Sequence, residues 1–472
     1  MIQKITPNLL DRLEKVAATR REAIRNSRSD IVIPGERWYV SAGGSDDADG
    51  MTPATAWQTL DRVNRAELAP GDCVLFHRGD IYRGVLNAKS GVIYSSYGHG
   101  PKPILCASPF DGAKTGKWLP TDVENIYVYS EKITDDIGCI VFDGGRSYAV
   151  KATVDFKNNV NLTDGKPFAS WRDLSGDLVF FHDLGGANLQ GTEENSTLYL
   201  RSERGAPTDR FFSMEFSVRT NGIRIMGDNV RINNLHVMYA GCHGIGAGTT
   251  HGLHVDWCEF EWIGGSVQFY RDGRPTRFGN AVEIYGGCTD YTVENCWINQ
   301  AYDAGITHQF SAGESGGCVM KDVTYKGNLI ENCIYSIEYF LGKAADGSKR
   351  EISHVRISDN IMRFCGSGFG KQRPDKGPDV HIKSWDHINP GCDMVYENNI
   401  FDRGAHDLLH IACEEEASLP ILRRNVFIQP MGAGFARYGV IPTASLSYTE
   451  ENIAKLGLED NEIGRASCRE RV

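Results

Sequence analysis

Glu283, Asp303 and Glu338 are the residues of this chain whose types and placement suit acid–base chemistry. The segments around them align on an apolar residue: Ile245, Val282, Ile306, Ile337 and Phe369. The next residue in each is Gly246, Glu283, Thr307, Glu338 and Gly370. Successive side chains of a strand point to opposite faces, so if the first set points into a core the second faces solvent. Two carboxylates then share one face with the small Thr307 between them, their backbones ~9–10 Å apart. Asp303, in Tyr302-Asp303-Ala304-Gly305, enters the same sheet from the preceding turn and sits at its rim between the two glutamates. One protonated and one ionised carboxyl is what hydrolysis of a glycosidic bond requires. Clustered acids favour that division, because like charges at close range resist joint ionisation. Trp262, Tyr285, Tyr302 and Tyr339 flank the acids with faces on which sugar rings stack.

A second cluster reads Lys371-Gln372-Arg373-Pro374-Asp375, then His381-Ile382-Lys383-Ser384-Trp385. The first part is expected as a loop over the groove and the second as the next groove strand. Arg373, His381 and Lys383 offer donors to hydroxyls or a carboxylate, and Trp385 offers a stacking surface. His308, directly after Thr307, has inward parity and joins this substrate-binding set if its strand end is exposed; His243 and His251 are weaker candidates of the same kind. The same Lys383 and Arg373 support an alternative chemistry, β-elimination from a uronic-acid glycan by a lysine base, although no acidic calcium cluster stands beside them. His406 and His410 are four apart, but Asp407 follows the first and no third ligand is placed, so no metal is expected. No phosphate-binding loop, dinucleotide fingerprint or G-x-S-x-G is present, and no cofactor is expected.

The elements that must hold these residues follow from a recurring Asn and two mostly apolar residues. It appears at Asn234-Leu235-His236, Asn295-Cys296-Trp297, Asn328-Leu329-Ile330, Asn360-Ile361-Met362, Asn399-Ile400-Phe401 and Asn425-Val426-Phe427, with Trp257-Cys258 in the same slot. Each step has room for three short strands and their turns. Asn tolerates the left-handed backbone region and bonds its own turn, and stacked coil on coil such side chains form a ladder. Cys258 and Cys296 share one slot and Cys333 and Cys365 another, as small apolar core residues rather than ligands. The repeat implies an all-β solenoid. A propeller lacks its signature here, and a sandwich gives no Asn ladder.

Upstream stand Tyr39-Val40-Ser41, the Gly44–Gly50 loop, Trp57-x-x-Leu60, Pro70-Gly71-Asp72 and Arg78-Gly79-Asp80. In these the chain resembles the pectin-lyase-like superfamily, and within it the β-helical glycosidases. The resemblance implies a single-stranded right-handed parallel β-helix whose opening coils hold this block. It also implies a β-sandwich insertion of the kind in β-helical xylosidases and fucosidases, and xylose- or fucose-type substrates. The expected organisation is an N-terminal helix over 1–30, opening coils over 31–107, the insertion over 108–219 and the main β-helix over 220–461. Leu9, Leu13 and Val16 at helical spacing make the first segment amphipathic, placed to cap one end of the solenoid. Residues 462–472 resemble a translated sequencing adapter, so the natural chain is read only to Asn461.

The net charge of −11 disfavours nucleic acid and anionic membranes as partners. No apolar run approaches a membrane span and no secretion signal opens the chain. Thirteen cysteines without one are read as free thiols of a cytoplasmic protein. The expectation is a monomer that acts on an oligosaccharide.

Overall fold

The computed structural model describes residues 2–4, 6–114, 116–311, 313–374, 379–384, 391–430, 433–440, 444–449, 451–452 and 462–466. Its body is a right-handed parallel β-helix. Each coil contributes one strand to each of three sheets, which hold 11, 10 and 11 strands among the described residues. In a central coil Val282–Tyr285 belongs to the groove sheet, Cys288–Glu294 to a second sheet and Trp297–Ala301 to a third, before Ala304–Phe310 returns to the groove sheet.

The core is a set of columns dictated by strict register. From the groove sheet Ile245, Val282, Ile306, Ile337, Ile382 and Leu409 stack one above another, all without exposure. Phe260, Ile298, Ile330, Met362, Phe401 and Phe427 do the same from the third sheet. Val255, Val293, Tyr325, Ile357 and Tyr396 complete the interior from the second. A shift by one residue would turn every one of these outward and its polar neighbour inward, so burial fixes the register.

The corner between the second and third sheets separates two roles that the sequence pattern merges. Asn328, Asn360, Asn399 and Asn425 are the ladder: the Nδ2 of each of the first three donates to the next Oδ1 at 2.9–3.0 Å. Each also donates to a backbone carbonyl of the preceding coil, those of Val293, Tyr325, Ile357 and Tyr396. The left-handed backbone belongs to the residue before the rung. Gly327, Asp359, Asn398 and Arg424 have φ of 54–68° there. Asn234, Trp257 and Asn295 occupy this earlier corner slot, with φ of 50–54°, rather than the ladder. Their rung positions are Leu235, Cys258 and Cys296. The two thiols donate to the carbonyls of Ile232 and Val255 at 3.5 and 3.7 Å, the weak counterpart of the Asn bonds above.

The helix Pro7–Arg25 does not cap the solenoid; it lies along the third sheet. Leu13 packs on Ile428, and Ala17 and Ile24 pack with Trp297, Leu329 and Ile361. Its 19 residues span ~28 Å, about six strand spacings. Charge holds it as well: Arg21 pairs with the buried Glu331 at 2.5 Å, and Arg363 links Glu14, Glu331 and Asp402. A strand-rich unit is inserted between Ile104–Cys106 and Ile223–Ile225. Its seven-stranded sheet runs from Trp118–Pro120 to Met214–Val218, around its own core of Ile137, Ile140, Phe142, Phe180, Leu200 and Phe216. Cys139 and Val141 of that sheet pack on Met238, Tyr239, Trp262, Tyr302 and Phe369, which docks the unit at the edge of the groove.

Replacing Asn360 by Ala removes bonds on both sides of one rung and orphans buried partners, at ~1–3 kcal/mol for each group left unsatisfied. Urea unfolding of Asn360→Ala is expected to show a loss of this order, and Asn360→Cys a smaller one. A loss below ~0.5 kcal/mol, as for a surface change, would contradict the ladder's role.

Candidate functional site

Register sets out the groove face residue by residue. Asn87, Arg224, Gly246, Glu283, Thr307, Glu338, Lys383, His410 and Arg437 are consecutive partners across the groove sheet. Glu283, Thr307 and Glu338 thus stand in line as the alternation requires, but they do not face solvent: Thr307 is without exposure and both glutamates are buried. The position after Glu338 is Lys383, not Gly370. The chain between leaves the coil, and Phe369–Gln372 forms a short 3-10 helix packed on Trp262 and Tyr302.

The three acids are 5–8% exposed. Lys383 Nζ meets Glu338 Oε1 at 3.0 Å and lies 4.1 Å from the centre of the Tyr335 ring. Arg373 Nη1 meets Asp303 Oδ1 at 2.5 Å. Burial pushes the Asp303 carboxyl up, the Arg373 charge opposes this and Glu338 adds to it. Lys383 is held above the ordinary lysine range. Burial works the other way, but attraction to Glu338, with Tyr335 and Asp303, prevails.

Glu283 differs from both. Among the described residues its ion-pair contact is with His243, whose Nδ1 lies 3.0 Å from Oε2, and Asn280 Nδ2 donates to the same oxygen. Burial pushes Glu283 up to about 7, with Asp303 adding to the rise and Asn280 and Gln309 opposing it. Burial also pushes His243 down to about 4, against the pull of Asp303, so its imidazole is neutral at neutral pH. The backbone N–H of Asn280 donates to His243 Nδ1 at 3.2 Å. That nitrogen's single lone pair is thereby engaged, so the imidazole donates no proton to Glu283 there and does not favour its carboxylate.

The remaining candidates divide. Arg373 and Lys383 reach the acids. His308 and His381 are inside the coil, without exposure. His308 bonds the Tyr325 hydroxyl at 2.7 Å and stacks on Tyr339, and His381 bonds Ser336 at 3.0 Å beside Phe401. The strand of His308 runs on to Phe310, so its end does not open the ring to the groove. Trp385 lies outside the described residues. Of the four flanking aromatics, Trp262 and Tyr302 are buried under the insertion, Tyr339 is in the core and Tyr285 alone is exposed, bonded to Ser311. Asn280 is the site residue that alignment on strands passes over, and His243, one of the weaker substrate-contact candidates, meets Glu283 instead; both stand in corners. A cavity of about 490 Å³ lies beyond the end of Tyr335–Leu341, lined by Lys343, Lys349, Arg350 and Glu414, and none of the three acids lines it. No group of His, Cys, Asp and Glu suited to a metal occurs among the described residues.

No family model and no curated protein matches the chain. Among solved structures it is similar to XylC in complex with xylose, at 11% identity and a TM-score of 0.46 over 92% of this chain and 85% of that one. It is similar to the GH136 lacto-N-biosidase of Eubacterium ramulus, at 12% identity and a TM-score of 0.43 over 96% and 70%. A protein named only as a glycoside hydrolase gives 8% identity and a TM-score of 0.49 over 92% and 97%.

The geometry predicts a carboxyl that titrates near pH 7 and disappears in Glu283→Gln, visible by infrared difference spectroscopy between pH 5 and 9. Titration of that band below pH 5 would contradict the assigned proton.

Proposed function

We propose that this protein is a carbohydrate-active enzyme, specifically a glycoside hydrolase that cleaves an oligosaccharide in the groove. The observation that carries the reading is the unequal treatment of three neighbouring acids. Glu338 and Asp303 each face a cation, while Glu283 faces a neutral imidazole and is pushed up to about 7. Environments that push paired carboxyls apart divide them into a proton donor and an ionised partner. Glu283 would protonate the leaving oxygen. Glu338, two strands away, would act as base or nucleophile, and Asp303 with Arg373 would hold the sugar between them. The substrate is read as an oligosaccharide fragment met in the cytoplasm by a monomer, with no metal or cofactor.

The elimination reading asks Lys383 to be a base. Its ion pair with Glu338 keeps it a cation, and Arg373 is engaged by Asp303, so this chemistry is the less well supported.

The test is a hydrolysis screen on aryl glycosides and plant cell-wall oligosaccharides, recording reducing ends and ultraviolet absorbance together. Glu283→Gln and Glu338→Gln are each expected to lower kcat/KM by ~10²–10⁴-fold. New reducing ends should form without absorbance. Absorbance that rises with cleavage and survives Glu283→Gln, Asp303→Asn and Glu338→Gln would overturn the reading in favour of elimination. The wild-type rate should fall as pH rises through about 7, where Glu283 loses the proton it donates. A rate that rises through that range would assign Glu283 the opposite role.

A further inference from the structure

Arg277 closes the hairpin of Val267–Arg271 and Arg274–Arg277, which rises where the third sheet turns into the groove sheet. Its side chain is without exposure and its nitrogens are engaged on several sides. Nε donates to the Gly265 carbonyl at 2.6 Å and Nη2 to the Gly138 carbonyl at 2.9 Å. Nη1 donates to Thr153 Oγ1 at 3.1 Å and to Gln372 Oε1 at 3.2 Å. The guanidinium also lies 4.5 Å from the centre of the Tyr302 ring. Gln372 Oε1 takes a further bond, from the backbone N–H of Lys151 at 2.9 Å.

Two of these partners are chain neighbours of the acid site: Tyr302 precedes Asp303 and Gln372 precedes Arg373. Others, Gly138, Thr153 and Lys151, belong to the inserted unit. We propose that Arg277 is a positioning residue that couples docking of the insertion to the placement of the Asp303–Arg373 ion pair. The inference rests on the reading of Asp303 as part of a glycosidase site, and it assigns the insertion a task in that site. A planar fork satisfied on several edges fixes direction as a lysine ammonium does not. Displacements of ~1 Å at reacting groups reduce rates by ~10²-fold.

The test follows the Asp303 carboxyl by carbon NMR with labelled aspartate in the whole protein, Asp303→Asn identifying the signal, alongside kcat and KM. Arg277→Lys keeps charge without the fork. Gln372→Met removes one acceptor and keeps the test open if the buried Arg277 variant fails to fold. In both, Arg373 loses its anchor, so the Asp303 titration should move up by ~1 pH unit or more. kcat should fall ~10-fold or more with KM little changed. A purely structural role would lower the yield of folded protein and leave the titration and kcat per folded molecule as in wild type; that result overturns the proposal. If the titration moves while Asp303→Asn keeps full activity, the positioning stands and the glycosidase role of Asp303 falls. If it does not move while Asp303→Asn is inactive, the reading stands and the positioning falls.

Discussion

The site depends on one spacing, the ~4.8 Å between adjacent parallel strands. It sets Glu283, Thr307, Glu338 and Lys383 in line, each one step from the next. What keeps the steps in register is the interior on the other side of the same strands. Val282, Ile306, Ile337 and Ile382 form a buried column one residue away from the acids. The Asn ladder holds the far corner of these coils, with buried side-chain amides bonded along the axis. The acids are thus placed by apolar stacking and amide bonding, neither of which touches a substrate, and the helix along the third sheet ties several coils together from outside.

Burial gives this arrangement its electrostatic character. A carboxylate removed from water is disfavoured unless a cation or donors compensate. Lys383 pairs with Glu338, and Arg373 pairs with Asp303 and opposes its rise without cancelling it; both cations lie between Cys365 and the end of Val380–Ser384. Glu283 stands on an earlier strand, and its neighbours His243 and Asn280 come from corners that supply a neutral nitrogen and an amide. The groove therefore presents one carboxyl pushed up to about 7 beside two ion pairs. The insertion contributes from behind, through Arg277 and Gln372, rather than by a side chain among the acids.

Much of this was legible in the sequence, and the limits of what was legible have physical causes. Period-two alternation sufficed to place Glu283, Thr307 and Glu338 together, because parallel coils with one buried face tolerate no slip. It failed at Phe369 and Gly370, where a loop imitates the strand pattern while its apolar residue serves the docking of the insertion. The Asn repeat reveals the solenoid, yet it groups Asn234 and Asn295 with the rungs, whereas both stand one residue before them. A left-handed corner and a buried amide ladder both accept Asn and lie one residue apart. His308 and His381 carry the composition of a binding site, but parity places His308 inward, and His381 is buried beside Phe401 with its ring bonded to Ser336. Trp262 and Tyr302 look like a sugar platform and serve as an internal interface. Contacts between distant segments, such as His243 with Glu283 or Arg277 with Gln372, left no periodic trace.

If the groove hydrolyses a glycosidic bond, with Glu283 as acid and Glu338 as base or nucleophile, water is added to an anomeric carbon. Cleavage in heavy-oxygen water, followed by mass spectrometry of both products, tests it most directly. One product is expected to gain a single heavy oxygen at its new reducing end, and Glu283→Gln to abolish the incorporation. Products that carry no heavy oxygen, with one of them unsaturated, would contradict it.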